Sequence, residues 1–110
     1  MEIMKLSDLN SHDVFEFTYA NNYDLESFLD NWNENSIYIS DEDFSDISNY
    51  FTKIVSDFNF WGPNKITKSE WLEIKKEISK EDIVDYNLFV SEIDSWLELD
   101  NANYFWILGP

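Results

Sequence analysis

The sequence predicts an α+β domain in which about four helices pack on a small sheet of short strands. Two segments have strand-like patterns: "VFEFTY" (14–19) places its aromatic residues at alternate positions, and "YFWIL" (104–108) is a short apolar run. Between them, apolar residues recur every three or four positions over long stretches, which indicates helices with one buried face. With 110 residues, 44% of them hydrophobic, the chain is expected to fold as a single domain over residues 1–110.

The first half of the chain is expected to hold two strands and a helix. The strand at 14–19 alternates in a way that predicts one buried and one exposed face. Residues 22–35, "NYDLESFLDNWNEN", predict the first helix, because their apolar side chains have helical spacing. "SIYI" (36–39) then predicts a short second strand.

The second helix is predicted within residues 40–61, and Gly62-Pro63 is expected to stop it. Ser40 and Asp43 have the spacing of a capping box at its start. Its predicted apolar face consists of Phe44, Ile47, Phe51, Ile54, Val55 and Phe58.

The third helix has a stronger start signal. Thr67 and Glu70 have the spacing of a capping box, and Ile66 and Trp71 occupy the two positions of a hydrophobic staple. This arrangement predicts a helix that begins immediately after Thr67.

A fourth helix is predicted to start with Ser79 and Asp82 as its capping pair. Val84 and Leu88 point away from the centre of its apolar face, so they either pack under another element or form an exposed patch. The first alternative is expected in a domain of this composition. The apolar face itself consists of Ile83, Tyr86, Phe89, Val90, Ile93, Trp96 and Leu97.

The net charge is the property that bears most directly on function. Twenty-three acidic residues against seven lysines, with no arginine, give a formal charge of −16. Residues 65–80 hold five of the lysines and three acids, while the other 94 residues hold two lysines and twenty acids, a net −18. Self-repulsion of this size works against compact folding. The charge argues against nucleic acid and anionic membranes as direct partners, because both require a basic surface, and it favours a basic protein.

The start of the chain bears on location. "MEIMKLSDLN" lacks the basic and apolar regions of a signal peptide. The longest uncharged stretch is the ten residues "NANYFWILGP", too few to span a bilayer. A soluble cytoplasmic protein is therefore expected.

Catalytic and metal-binding motifs are not recognisable in the sequence. There is no cysteine, His12 is the only histidine, and two glycines are too few for a phosphate-binding loop. Asp41, Asp43 and Ser45 match the first positions of a calcium loop, but Asp46 stands where glycine is required and Thr52 where glutamate is required. The chain is therefore expected not to be an enzyme and to need no cofactor and no metal.

The segment "SDEDFSD" (40–46) concentrates four carboxylates in six positions. Asp41, Glu42 and Asp43 can be explained as first-turn acids that interact favourably with the helix dipole, whereas Asp46 lies beyond the turn where that effect is strong. The alternative is that these acids form one side of a protein interface. Tyrosine among carboxylates suits such an interface, since charge speeds association and an aromatic ring anchors the complex. The predicted partner-binding residues are Asp30, Glu34, Tyr38, Asp41, Glu42, Asp43 and Asp46.

In size, acidity, aromatic richness and lack of cysteine, the chain resembles the small acidic immunity proteins of bacterial toxin–immunity pairs, including those of contact-dependent inhibition systems. The resemblance is one of general character and includes no diagnostic motif. It implies a stoichiometric inhibitor that binds a cognate basic toxin domain, often a nuclease. The inhibitor is expected to be a monomer or to form a 1:1 complex with that toxin domain. The alternatives are a phage-type nucleic-acid mimic that inhibits a host DNA- or RNA-binding protein, and an acidic adaptor without inhibitory activity.

Overall fold

The computed structural model describes residues 1–10, 13–19 and 35–109. These residues form an α+β fold with a four-stranded antiparallel sheet and three α-helices, which confirms the α+β class and the small sheet but shows one helix fewer than predicted among the described residues. The predicted first helix, 22–35, lies almost entirely outside the described residues. In chain order the elements are a 3-10 turn (Leu6–Asp8), β1 (Val14–Thr18), β2 (Ile37–Ser40), α1 (Asp41–Ile54), β3 (Pro63–Thr67), α2 (Lys68–Glu81), α3 (Val84–Glu98) and β4 (Tyr104–Leu108).

The strands lie in the order β2-β1-β4-β3, so β1 and β4 are central. Phe17 of β1 lies opposite Ile37 of β2 on one side and Ile107 of β4 on the other. Met4 forms an isolated antiparallel bridge with Tyr38, which gives backbone partners to the outer edge of β2. These registers place the apolar residues of neighbouring strands on one face of the sheet.

One hydrophobic core contains residues from every described strand and α-helix. Phe17 is fully buried at its centre, with ring centroids 5.8 Å from Phe105 and 6.1 Å from both Phe44 and Phe89. Aromatic pairs in such edge-to-face and stacked geometries add stability beyond the area they bury. The core therefore connects the sheet to α1, α2 and α3 through ring contacts.

Strand β1 is buried on both faces rather than on one. Val14, Glu16 and Thr18 are buried along with the two phenylalanines, so other parts of the chain cover both faces of this strand. Glu16 is a buried carboxylate that accepts a 2.6 Å hydrogen bond from the Ser36 hydroxyl. The prediction that one face of the strand at 14–19 is exposed is therefore wrong.

Helix α1 ends at Ile54, seven residues before residue 61, the end of the stretch in which the helix was predicted. Val55 closes the helix through its N–H to the Phe51 carbonyl, and the chain then turns. Phe58 folds back so that its ring lies 5.9 Å from Phe44 and 6.2 Å from Phe51. The apolar period continued past the helix because residues of the following turn also pack into the core.

Strand β3 was not predicted, because its sequence, "PNKIT", is short and mostly polar. It is an edge strand that starts at a proline, and it buries Asn64 and Ile66 while Lys65 is exposed. Proline and lysine are both common on edge strands, where they discourage pairing with other chains. The predicted strands at 36–39 and 104–108 are confirmed as β2 and β4.

The start of α2 is confirmed and the predicted start of the last helix is wrong. Thr67 and Glu70 form both hydrogen bonds of the capping box. Ser79 lies inside α2, and Asp82 adopts a left-handed conformation (φ 51°) that ends it. Aspartate tolerates this conformation better than most residues, so it suits a helix end. Helix α3 begins at Val84 with no side-chain cap.

Candidate functional site

The acidic helix start, defined as Asp41, Glu42, Asp43 and Asp46, lies at the N-terminal end of α1. The Ser40 hydroxyl caps the helix by accepting the Asp43 N–H at 3.1 Å. Asp43 is half-buried, and its carboxylate accepts the backbone N–H of Glu2 at 3.1 Å instead of completing a capping box. The other three side chains are exposed. Asp43 thus has a structural role, and the remaining acids are available to solvent.

The charges of the acidic helix start are not neutralised within the described part of the chain. Its ion pairs join Lys53 and Lys80 to Glu77, both at 3.0 Å, and Lys75 to Asp94 at 3.2 Å. None of them involves the acidic helix start. These carboxylates therefore present uncompensated negative charge at one end of α1.

An aromatic loop, residues 59–62, lies beside the acidic helix start. Its Trp61 side chain is 83% exposed and Phe60 is 40% exposed, although both are large apolar groups. Phe60 and Trp61 line a cleft of about 210 Å³ together with Asp41 and Ser45 of α1. Aromatic residues are enriched at protein interfaces and among the residues that contribute most to binding, and neighbouring charges can speed association.

The aromatic loop is held by a buried amide. Asn64, which is 6% exposed, donates from Nδ2 to the carbonyls of Asn59 (2.8 Å), Gly62 (3.1 Å) and Ile107 (3.2 Å), and its Oδ1 accepts the Asn59 N–H at 2.7 Å. The Asn59 side chain in turn accepts the Trp61 N–H at 2.9 Å. Because these bonds fix the backbone around Trp61, an exposed indole is displayed on a rigid support.

The C-terminal end of the sheet supports the same loop. A Cβ placed on Gly109 would lie 1.8 Å from the Phe60 carbonyl oxygen and 3.2 Å from the Trp61 Cα. A backbone contact this close permits only glycine at position 109. The aromatic loop is thus packed directly against the segment that follows β4.

The structure distributes the predicted partner-binding residues as follows. Asp41, Glu42, Asp43 and Asp46 share the start of α1, whereas Asp30 and Glu34 lie outside the described residues. Tyr38 is fully buried in β2, where burial, followed by the nearby Glu16 carboxylate, raises the pKa of its hydroxyl to about 12. The expectation that Tyr38 is a surface anchor is corrected, since its ring belongs to the interior.

The exposed anchors that the sequence pattern did not identify are Phe60 and Trp61. The sequence pattern places residues 58–61 at the end of the second predicted helix, because Phe58 continues its apolar face and Gly62-Pro63 is expected to stop it. A tryptophan directly before Gly-Pro lies in a turn by the chemistry of those residues, and turns are surface features. That signal could have identified Trp61.

Helix α2 contains four lysines and four glutamates, so it is electrically neutral by composition, and several of these charges are paired. Lys75 pairs with Asp94 and lies over the Trp71 ring, and Lys53 and Lys80 both donate to Glu77. Hydrogen bonds from these two lysines hold the pKa of the Glu77 carboxyl below its usual value. Of the two adjacent lysines in the middle of α2, Lys75 is half-buried and Lys76 is exposed.

Val84 and Leu88 of α3 are 71% and 56% exposed. The prediction that they pack under another element is therefore wrong. Leu88 and the 75%-exposed Leu99 line a separate shallow cleft with Ile3. Trp96 and Glu92 also line this cleft, but Trp96 is only 4% exposed, whereas Trp61 of the aromatic loop is 83% exposed.

Two kinds of site are not found among the described residues. No group of three or more histidine, cysteine, aspartate or glutamate side chains there is arranged to hold a metal ion. Within the same residues, the helices are too short or too polar to cross a membrane.

Comparison with known proteins adds no relative to this description. No family model matches the chain. Neither a curated protein nor a solved structure shows significant similarity to it.

Proposed function

We propose that this protein is a stoichiometric inhibitor, an immunity protein that binds and neutralises a basic toxin domain of the nuclease type. The observation that carries the proposal is the rigid display of Trp61 beside the exposed carboxylates of the acidic helix start. A nuclease needs a basic surface to hold nucleic acid, and that surface is complementary to this one.

The aromatic loop supplies the anchoring part of the interface. Tryptophan is among the residues that contribute most to binding free energy, and a side chain whose backbone is already fixed loses less conformational entropy on binding. Asn64 and Gly109 fix that backbone. An exposed Trp61 on such a support is therefore suited to insert into a pocket on the partner.

The acidic helix start supplies the steering part. Asp41, Glu42 and Asp46 are exposed and unpaired within the described residues, on a chain of net charge −16. Charges of this kind raise association rates with oppositely charged partners. A phosphate mimic would space its carboxylates along an extended ridge, whereas Asp41, Glu42 and Asp46 are clustered at one end of α1, which favours the inhibitor over the mimic.

The proposal is tested by co-expressing this protein with the product of the adjacent gene and purifying the complex. A 1:1 complex, and loss of the partner's nuclease activity at one equivalent of inhibitor, are expected. Trp61→Ala is expected to weaken binding by at least about 2 kcal/mol. Leu99→Ala, which truncates an equally exposed apolar side chain elsewhere, should change binding by less than about 0.5 kcal/mol.

A charge-reversal pair completes the test. Glu42→Lys should lower the association rate, whereas Asp85→Lys, which also reverses an exposed first-turn acid but on α3, should lower it much less. Equal effects of the two reversals would contradict the placement of the interface. A partner that turned out to be a host nucleic-acid-binding protein would contradict the immunity function.

A further inference from the structure

The cleft beside the aromatic loop has a composition that the contact surface as a whole does not explain. Its volume is about 210 Å³, its lining is almost entirely apolar, and Asp41 is the one charged residue among those that line it. The lining residues are Phe15, Asp41, Phe44, Ser45, Phe60 and Trp61.

The aromatic floor of the cleft is already assembled in the free protein. Phe15 and Phe44 stack with centroids 4.2 Å apart, and Phe60 lies edge-on to them at 6.3 and 6.4 Å. Phe58 supports Phe60 from behind at 5.2 Å. Phe15 and Phe44 are packed into the core and are 4% and 0% exposed, so the ring surfaces open to a ligand are those of Phe60 and Trp61.

We infer that this cleft binds an arginine side chain presented by the partner, with the guanidinium against the aromatic rings and Asp41 as its counter-ion. The planar guanidinium stacks on aromatic faces and pairs with carboxylates, a combination that neither an apolar side chain nor a lysine matches as well. The position of Asp41 beside Trp61 provides both elements of such a site. This inference rests on the proposed function, since it names the group of the basic partner that the site takes.

The cleft of about 210 Å³ is larger than a site for a single water, so it has room for a side chain. The three methylene groups of an arginine can lie against the exposed Phe60 ring while its guanidinium reaches Asp41.

The test uses this protein alone and the peptide acetyl-Gly-Arg-Gly-amide. Binding is followed by NMR at the Trp61 indole N–H, identified as the signal lost in Trp61→Phe, and at the Ser45 amide. A saturable shift with a dissociation constant of roughly 1–10 mM is expected for one cation–π contact and one charge-assisted pair. The citrulline peptide, which is neutral and nearly isosteric, should bind at least about fivefold more weakly.

Two matched variants test whether Asp41 is the carboxylate that pairs with the guanidinium. Asp41→Asn should lower the affinity for the arginine peptide about fivefold, and Glu42→Gln, the neighbouring acid that does not line the cleft, less than about twofold. The lysine peptide should bind more weakly than the arginine peptide, because an ammonium cannot stack.

Three outcomes would overturn the inference: no saturable shift, equal binding of the citrulline peptide, or unchanged affinity in Asp41→Asn. Because no toxin is present in this titration, its result is independent of the inhibition assay. A protein that inhibits its toxin but ignores the arginine peptide would remove the arginine site and leave the proposed function intact.

Discussion

Asn64 is a buried amide, and three of its four hydrogen bonds go to the backbone of a surface loop. Burying an amide is unfavourable unless its polar atoms are paired, and here the pairing fixes the residues on either side of Trp61. The arrangement couples a core residue to the orientation of an exposed one. At the residue scale, the candidate site therefore depends on a side chain that no partner would touch.

Replacing Asn64 tests this dependence. Asn64→Ala is expected to lower the free energy of unfolding by about 3 kcal/mol, since several backbone groups would lose their partner in a buried place. Denaturant unfolding measures the loss. Asn103→Ala, at an exposed position, should change stability by less than about 0.5 kcal/mol. If Asn64→Ala unfolded at the same denaturant concentration as the parent, the amide would not be holding the loop.

The tyrosines show why single residues are hard to place from sequence. Tyr38 was expected at the surface because it stands among acids in the chain, yet it is fully buried in β2 beside Glu16. Alternation in a four-residue strand cannot distinguish an exposed face from a second buried face, since that depends on what other elements cover. The burial of Tyr38 is a tertiary property.

At the element scale, local chemistry predicted some boundaries well and others poorly. Thr67 and Ser40 cap their helices as their hydroxyls and spacing indicate, because capping is a contact within one turn. The boundary between α2 and α3 was misplaced because Ser79 has the same spacing signal inside a helix. Strand β3 was not predicted because its residues have little strand propensity of their own. The strand is stabilised by pairing with β4, which is distant in sequence.

Two alanine substitutions separate the true cap from the false one. Thr67→Ala removes the hydroxyl that accepts the Glu70 N–H and should lower the free energy of unfolding by about 1 kcal/mol. Ser79→Ala, inside α2, should leave stability unchanged or raise it by a few tenths of a kcal/mol, since alanine is the better helix former. Thermal or denaturant unfolding measures both, and a larger loss for Ser79→Ala would contradict the helix boundary.

At the scale of the whole molecule, three tyrosines with raised pKa values are expected to make stability fall at alkaline pH. Burial, followed in each case by a neighbouring carboxylate, raises the pKa of Tyr19, Tyr38 and Tyr50 from 10.0 to about 12. Between these values the unfolded chain releases protons that the folded chain retains, so stability falls as pH rises from 10 to 12. The loss for a fully buried tyrosine is about 1.4 kcal/mol per pH unit.

Unfolding by denaturant at pH 8, 10 and 11.5 measures this decline. Tyr50→Phe removes the phenol that donates to Glu81 at 2.6 Å, so its stability should depend less steeply on pH above 10 than that of the parent. A stability that stayed constant to pH 12 would contradict the raised pKa values.

Metal removal is a further test on the whole molecule. Since the described residues hold no cluster that could bind a metal ion, EDTA is expected to leave the thermal midpoint unchanged. A midpoint lowered by several degrees, and restored by a divalent cation, would show a metal site that includes residues beyond those described.

The net charge of −16 has opposite consequences for folding and for binding. Self-repulsion destabilises the free protein, so added salt should raise its thermal midpoint by screening charges more than about 8–10 Å apart. The same screening weakens attraction to a basic partner before contact. Salt should therefore lower the association rate with the toxin by at least about tenfold between low and physiological ionic strength, with little change in the dissociation rate.

Stopped-flow kinetics with Trp61 and Glu42 variants tests which residue controls the association rate and which controls the dissociation rate. Trp61→Ala should raise the dissociation rate and keep the salt dependence of association, because the indole acts after contact. Glu42→Lys should flatten the salt dependence and leave dissociation nearly unchanged, because an exposed charge acts before contact. Lys76→Glu, a reversal on the exposed face of α2, should speed association slightly or leave it unchanged, since it adds to the attractive charge. An association rate independent of salt in the parent would show that the acidic surface does not steer the partner, and the anchor at Trp61 would then have to account for recognition by itself.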